Sequence, residues 1–213
     1  ACASSPTPAA AVSTESAAQS DSTPAETSAA GNSEQAPAAR EAVVSEFENE
    51  VVVRATSDGE FILATAGVIL QQGGALQTSA DSRARLDLKP EGTVVRVAPN
   101  SAFTLAELTE TNGEPKSAIS LFFGKIFVML NGGSLDVQTP SGVASVRGSL
   151  LSVSFNPETG RAQAVCLEGV CSLNNESGKS VELEEGESAF VDENGYLNEL
   201  DAYIEDVLIP QYT

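Results

Sequence analysis

From Val51 onward the chain alternates apolar and polar residues in short runs. Arg85-Leu86-Asp87-Leu88 and Ser180-Val181-Glu182-Leu183-Glu184 follow period two, and Val95 and Val97 face one side while Val94 and Arg96 face the other. Such alternation over four to eight residues marks strands with one buried face. Turn signals separate the runs: Gly73-Gly74, Pro90-Glu91-Gly92, Pro99-Asn100, Thr111-Asn112-Gly113, Asn131-Gly132-Gly133, Asn156 to Gly160 and Asn174 to Gly178. Short strands at this spacing, with no helical period between them, predict an all-β domain of the sandwich, barrel or solenoid kind. Two flanking helices are predicted, one over Arg40–Asn49 and one over Leu197–Leu208. In the second, Leu197, Leu200, Ile204, Val207 and Leu208 share a face, with Glu199, Asp201, Glu205 and Asp206 elsewhere.

Composition divides the chain near Arg40. In residues 1–41, Ala, Ser, Thr and Pro fill 29 of 41 positions, no aromatic occurs, and Val12 is the only branched aliphatic residue. Such a segment has little to bury against an ordering cost of roughly 1–2 kcal/mol per residue. It reads as a disordered tether, ahead of a single β-rich domain over residues 42–213. Near the start stands Cys2, preceded by the small residue Ala1 and followed by this tether; Met129 is the only methionine. The expectation is a lipidated Cys2 at the mature terminus, as in a bacterial lipoprotein. Two or more acyl chains hold a protein on a membrane without a spanning helix.

Charge and missing residue types narrow the function. The net charge is −19, from 30 acidic and 11 basic side chains. That balance argues against a nucleic-acid partner, which is bound by releasing phosphate counterions with Lys and Arg. It also opposes lying flat on anionic lipid. Histidine is absent, which removes Ser–His and Cys–His nucleophile pairs and the common zinc ligand sets. No apolar run reaches the ~20 residues of a membrane-spanning helix.

Several ordered pieces carry a family resemblance. Gly74-Ala-Leu-Gln-Thr78 is followed by Ser82-Arg-Ala-Arg-Leu-Asp-Leu88, Gly92-Thr-Val-Val-Arg-Val97, Pro99-Asn-Ser-Ala102 and Leu121-Phe-Phe-Gly-Lys-Ile126. Then come Val137-Gln-Thr-Pro-Ser-Gly-Val-Ala-Ser-Val-Arg-Gly-Ser149, Val165-Cys-Leu-Glu-Gly-Val170 and Glu185-Gly-Glu187. In this order, residues 67–191 resemble the FecR-type domain, the extracytoplasmic module of iron-dicitrate regulators. Ser149 and Leu151 stand where the family pattern has Thr and Phe. The resemblance implies a compact, solenoid-like or sandwich-like β domain outside the cytoplasm. In the family's name-giving members it implies relay of an outer-membrane signal to a sigma factor. That relay needs a spanning segment, so this chain is not expected to pass a signal across a membrane alone.

Few residues suggest chemistry. Arg147, between Val146 and Gly148, is either a ligand contact for a carboxylate or phosphate or a structural pin that holds a strand corner. Arg83, Arg85 and Arg96 form a basic strip or ordinary surface charges paired with nearby acids. The acids Glu182, Glu184, Glu185, Glu187, Asp192 and Glu193 lack the spacing of a calcium loop and read as a solvated face. Ser101 and Ser149 have no His to activate them. No catalytic, metal or cofactor residue is assigned, and an enzyme is not expected. Cys166 and Cys171 are expected to form a disulfide if Glu168-Gly169 makes a two-residue hairpin turn. A bend at Gly169 would instead leave two buried thiols. The functional expectation is a non-catalytic, lipid-anchored binding or sensing module in the periplasm or at the cell surface, with an envelope protein or glycan as partner. The alternative is an assembly component of a surface layer or filament, joined through strand edges.

Overall fold

A computed structural model describes residues 40–200. Among these residues every regular element is a strand, so the fold is all-β. Three long strands organise it: β9 (Glu114–Met129), β11 (Gly142–Asn156) and β12 (Arg161–Asn175). Each begins in one layer and ends in the other. The first layer contains β2 (Val51–Arg54), β3 (Ile62–Leu63), β5 (Ala75–Thr78), β8 (Ser101–Thr111), β10 (Ser134–Thr139) and β13 (Ser180–Leu183). Its order is β3-β2-β5-β8, the first half of β9, β10, the first half of β11, the second half of β12, and β13. The second layer contains β1 (Glu41–Glu48), β4 (Val68–Leu70), β6 (Arg83–Lys89), β7 (Thr93–Val97), β14 (Ser188–Val191) and β15 (Leu197–Leu200). It runs β4-β1-β6-β7, then the other halves of β9, β11 and β12, then β14-β15. All pairs are antiparallel except β9–β10.

Glycines sit where the long strands change layer. Strand β9 pairs with β8 as far as Phe123 and with β11 from Gly124 onward. A side chain at Gly124, which has φ 91°, would collide with Ser101 and the Asn100 carbonyl. Gly148 and Gly169 face one another across β11 and β12, where the register also shifts. Strands that switch sheets at bends or bulges are the usual way a sandwich turns its corners.

The inward residues of both layers form one cluster, including Leu76, Leu86, Phe103, Ile119, Ile126, Val146, Leu151 and Leu173. Burying such a side chain contributes roughly 1.5–3 kcal/mol. The alternation at Arg85 to Leu88 and at Val94 to Val97 matches β6 and β7, with Leu86, Leu88, Val95 and Val97 fully buried.

Two expected helices are not present as predicted. Residues 41–48 form β1, paired on both sides with β4 and β6. A register shift between Val44 and Glu46 resets the alternation, so Phe47 also packs toward the core. That irregularity leaves Val43, Val44 and Phe47 at a spacing that imitates a helix. Leu197–Leu200 form strand β15 on β14, and the rest of the expected C-terminal helix, 201–208, lies outside the described residues. A solenoid is also corrected: the strands pair as antiparallel neighbours within two layers and do not coil in parallel turns. Arg40 and Glu41, just ahead of the expected domain start at Ala42, take part in the fold.

Candidate functional site

The outer face of the first layer carries the polar site. In β10, β11, β12 and β13 the inward positions are Leu135, Val137, Ala144, Val146, Cys171, Leu173 and Leu183, all buried. Their alternates face outward by the pleat. The register sets Asp136, Ser145, Ser172 and Glu182 in one row across four strands. Two short serines between two longer acids leave a hollow of about 450 Å³, bordered by Lys116, Ser134, Asn174 and Arg147. Asp136 and Glu182 are three strand spacings apart, ~14 Å, too far to share a cation. No three His, Cys, Asp or Glu side chains among the described residues stand together as metal ligands.

Arg147 is the cation of this hollow without an acid. It is exposed beside the corner, directly opposite Val170, which is 56% exposed. Lys116, by contrast, pairs with Glu107 at 3.4 Å. The Glu107 carboxyl is held below its usual range, first by a hydrogen bond from the Thr109 hydroxyl at 2.8 Å and then by Lys116. Arg147 makes no hydrogen bond or ion pair among the described residues, so a pin through side-chain bonds is not seen there. A solvated guanidinium fork with no internal acceptor can take an incoming carboxylate or phosphate.

Below the same corner Cys166 and Cys171 are joined by a disulfide, with Cα atoms 5.7 Å apart. The expected hairpin at Glu168-Gly169 is corrected. β12 is one continuous strand that bends at Gly169, and the bridge spans that bend. A corner and a hairpin both bring residues five apart close together. The disulfide thus fixes the backbone that carries Val170, across from Arg147.

The other sequence candidates fall elsewhere. Arg83 and Arg85 lie on the second layer and pair with Glu48 at 3.7 Å and with Asp87 at 2.9 Å. Arg96 stands beside Arg85 in the register. None of them reaches Arg147. Ser101 is fully buried; its hydroxyl donates to the Pro99 and Lys125 carbonyls and accepts from the Lys125 amide, which makes it a structural link. Ser149 lies in β11. Within the acidic run, Glu187 accepts from the Glu184 amide at 2.8 Å. Cys2 lies outside the described residues.

Sequence reasoning passed over two arginines. The Arg40 side chain is nearly covered, pairs with Glu91, and also donates to Ser117 and to the Thr109 and Lys116 carbonyls. Arg161 stacks on the Phe190 ring, 3.6 Å from its centroid. A lone cation at the border of an alternating run was the available clue in each case.

Comparison with known proteins bears on the domain and its fold. Residues 74–172 match the model of the FecR protein family. No curated protein matches the chain in sequence. Two crystal structures of a candidate anti-sigma factor from Parabacteroides distasonis ATCC 8503, at 2.50 and 1.65 Å resolution, share the fold. Each superposes with a TM-score of 0.50 at 15% identity, over 59% of this chain and 58% of that one. The chain therefore spans less than two thirds of the length of those structures.

Proposed function

We propose, for a chain that carries a FecR domain at residues 74–172, a non-catalytic sensing module that works outside the cytoplasm and engages a protein of the cell envelope. The observation that carries this reading is Arg147, the acid-free guanidinium on the hollow outer face of the first layer. The hollow offers hydrogen-bonding serines and an asparagine between Asp136 and Glu182, a polar lining that suits recognition. An anionic side chain on a partner would be its counterpart. The Cys166–Cys171 disulfide supports an oxidising compartment, because intracellular thiols are normally kept reduced. The solved structures named as a candidate anti-sigma factor support a regulatory role, with the partner completing the relay.

Anchoring through a lipidated Cys2 belongs to the same reading, supported by the Ala1-Cys2 pair and the Ala/Ser/Thr/Pro-rich residues after it. Expression of the full precursor with Cys2→Ser should release the protein from the membrane fraction. Retention like the wild type would refute the anchor. For the binding face, in-cell photo-crosslinking from position 170, exposed directly opposite Arg147, should capture one discrete partner, and adding Arg147→Glu should abolish the adduct without lowering the melting temperature. No adduct, or one indifferent to Arg147→Glu, refutes this face.

A second reading, an assembly component, rests on β3. There Ile62 and Leu63 are 56% and 67% exposed, with Phe61 just ahead of them 45% exposed, and among the described residues β3 pairs only with β2. An open apolar edge is a template for strand addition. Concentration-dependent growth in light scattering, lost in Leu63→Lys, would favour that reading.

A further inference from the structure

A larger concavity than the Arg147 hollow lies away from it, at the other ends of β11 and β12. It has a volume of about 830 Å³ and is framed by the β7–β8 turn at Pro99-Asn100, the β9 corner at Phe123-Gly124, and the β11–β12 turn from Asn156 to Thr159. Specific ligand sites usually measure ~300–1,000 Å³. Its apolar wall is built from Pro99, Phe123, Phe155 and Pro157. Phe123 stays 37% exposed in the groove, and its neighbour Phe122 is 51% exposed. An aromatic pair left open at a strand corner is unusual for a chain with aromatic content of 5%.

Arg161 lies on the rim of this groove. Its guanidinium rests on the Phe190 face, yet its Nε is buried with no hydrogen-bond partner. The chain holds 30 acids against 11 bases, and Arg40, Arg83 and Arg85 each found a carboxylate. Arg161 makes no ion pair among the described residues, although Glu158 lines the same groove. Stacking on an aromatic face fixes the plane of the fork and leaves its N–H edges available. A half-desolvated guanidinium without an acceptor is stabilised by an incoming carboxylate, through charge-assisted hydrogen bonds.

We propose that this groove binds an extended segment of a partner protein, with an acidic residue on Arg161 and an adjacent aromatic or large aliphatic residue against Phe123 and Pro157. Charge complementarity selects the acid, and the apolar wall selects its neighbour. Asn100, Asn156 and Gln163 supply amide groups around the groove, which suit the peptide groups of an extended backbone. This second contact goes beyond the Arg147 face, because it uses the opposite half of β11. Two separate contacts on one domain would let a partner bind bivalently.

The test uses the purified full chain and a fluorescein-labelled hexapeptide with a central phenylalanine–glutamate pair, followed by fluorescence polarisation. The comparison probes are the same peptide with glutamine in place of glutamate, and inorganic phosphate as competitor. The glutamate peptide should bind ~10- to 100-fold more tightly than the glutamine one, the range expected for a charge-assisted contact. Arg161→Gln should remove that preference, Phe123→Ser should weaken both peptides, and Arg147→Gln should change neither. Thermal melts confirm that each variant folds; if Arg161→Gln does not fold, Arg161→Lys replaces it and should still lose most of the preference. Equal binding of the two peptides, no binding of either, or full displacement by millimolar phosphate overturns the proposal. Dependence on Arg147 in place of Arg161 would also overturn it, and would leave the first face standing.

Discussion

Deleting the Arg40 side chain should destabilise the whole domain, although Arg40 precedes the first strand. Its guanidinium donates to Glu91, to the Thr109 carbonyl at 2.5 Å, to the Lys116 carbonyl at 2.7 Å and to Ser117 Oγ at 2.9 Å. The side chains of Arg40 and Glu91 are only 5% and 7% exposed. The guanidinium therefore ties the start of β1 to the β6–β7 turn and to the β8–β9 pair. Arg40→Ala leaves the Glu91 carboxylate buried without a counter-charge and two carbonyls without their donor. Breaking a buried pair in this way costs about 3–5 kcal/mol. At ~2–4 °C per kcal/mol for a domain of this size, the melting temperature should fall by roughly 6–20 °C. Lysine keeps the charge but cannot reach four acceptors at once, so Arg40→Lys should recover only part of the loss. The double variant Arg40→Met with Glu91→Gln should lose less than the sum of the two single changes, because the orphaned charge is gone. Fragments beginning at residue 38 and at residue 42 provide the direct comparison, followed by circular dichroism on heating and in urea. If the fragment from residue 42 melts with the longer one, the ion pair does not hold the domain and the reasoning fails.

Three further changes are predicted. Replacing Cys166 and Cys171 together by Ala removes a five-residue span of closure, worth about 2 kcal/mol on the loop-entropy estimate. A non-reducing melt should then match that of the reduced wild type to within a few degrees, and an unchanged melt in both would refute the estimate. Gly124→Ala should be strongly destabilising, because the added carbon meets the Asn100 carbonyl and Ser101 at a positive φ; wild-type expression and melting would contradict the corner geometry. The lowered pKa of Glu107 means that its carboxylate favours the folded state above the unfolded-chain value, and this contribution is lost as pH falls through the lowered value. Carboxyl NMR titration should show Thr109→Val moving Glu107 back up toward the ordinary range, and an unmoved titration would assign the shift elsewhere.

Local strand pattern was legible because pleat and burial are local. Leu86, Leu88, Val95 and Val97 needed only their neighbours to mark an inward face, and Asn112-Gly113 and Asn156 to Gly160 do turn between antiparallel strands. Glycine, however, serves two purposes that look alike in sequence. At Gly113 and Gly160 the chain reverses and pairs with the strand it has just left. At Gly124, Gly148 and Gly169 it continues in a new layer beside a different neighbour. Which of these happens depends on partners tens of residues away, so Cys166 and Cys171 could be placed close together while the shape between them was misread. The Arg40–Glu91 pair, 51 residues apart, was hidden for the same reason. Both arginines proposed to recognise ligands share this non-local origin. Arg147 is set on the outer face by the Gly148–Gly169 corner, and Arg161 acquires its place only when β14 brings Phe190 beside it. Their residue type was visible from the start; their lack of an acid became visible only once every neighbouring strand was in register.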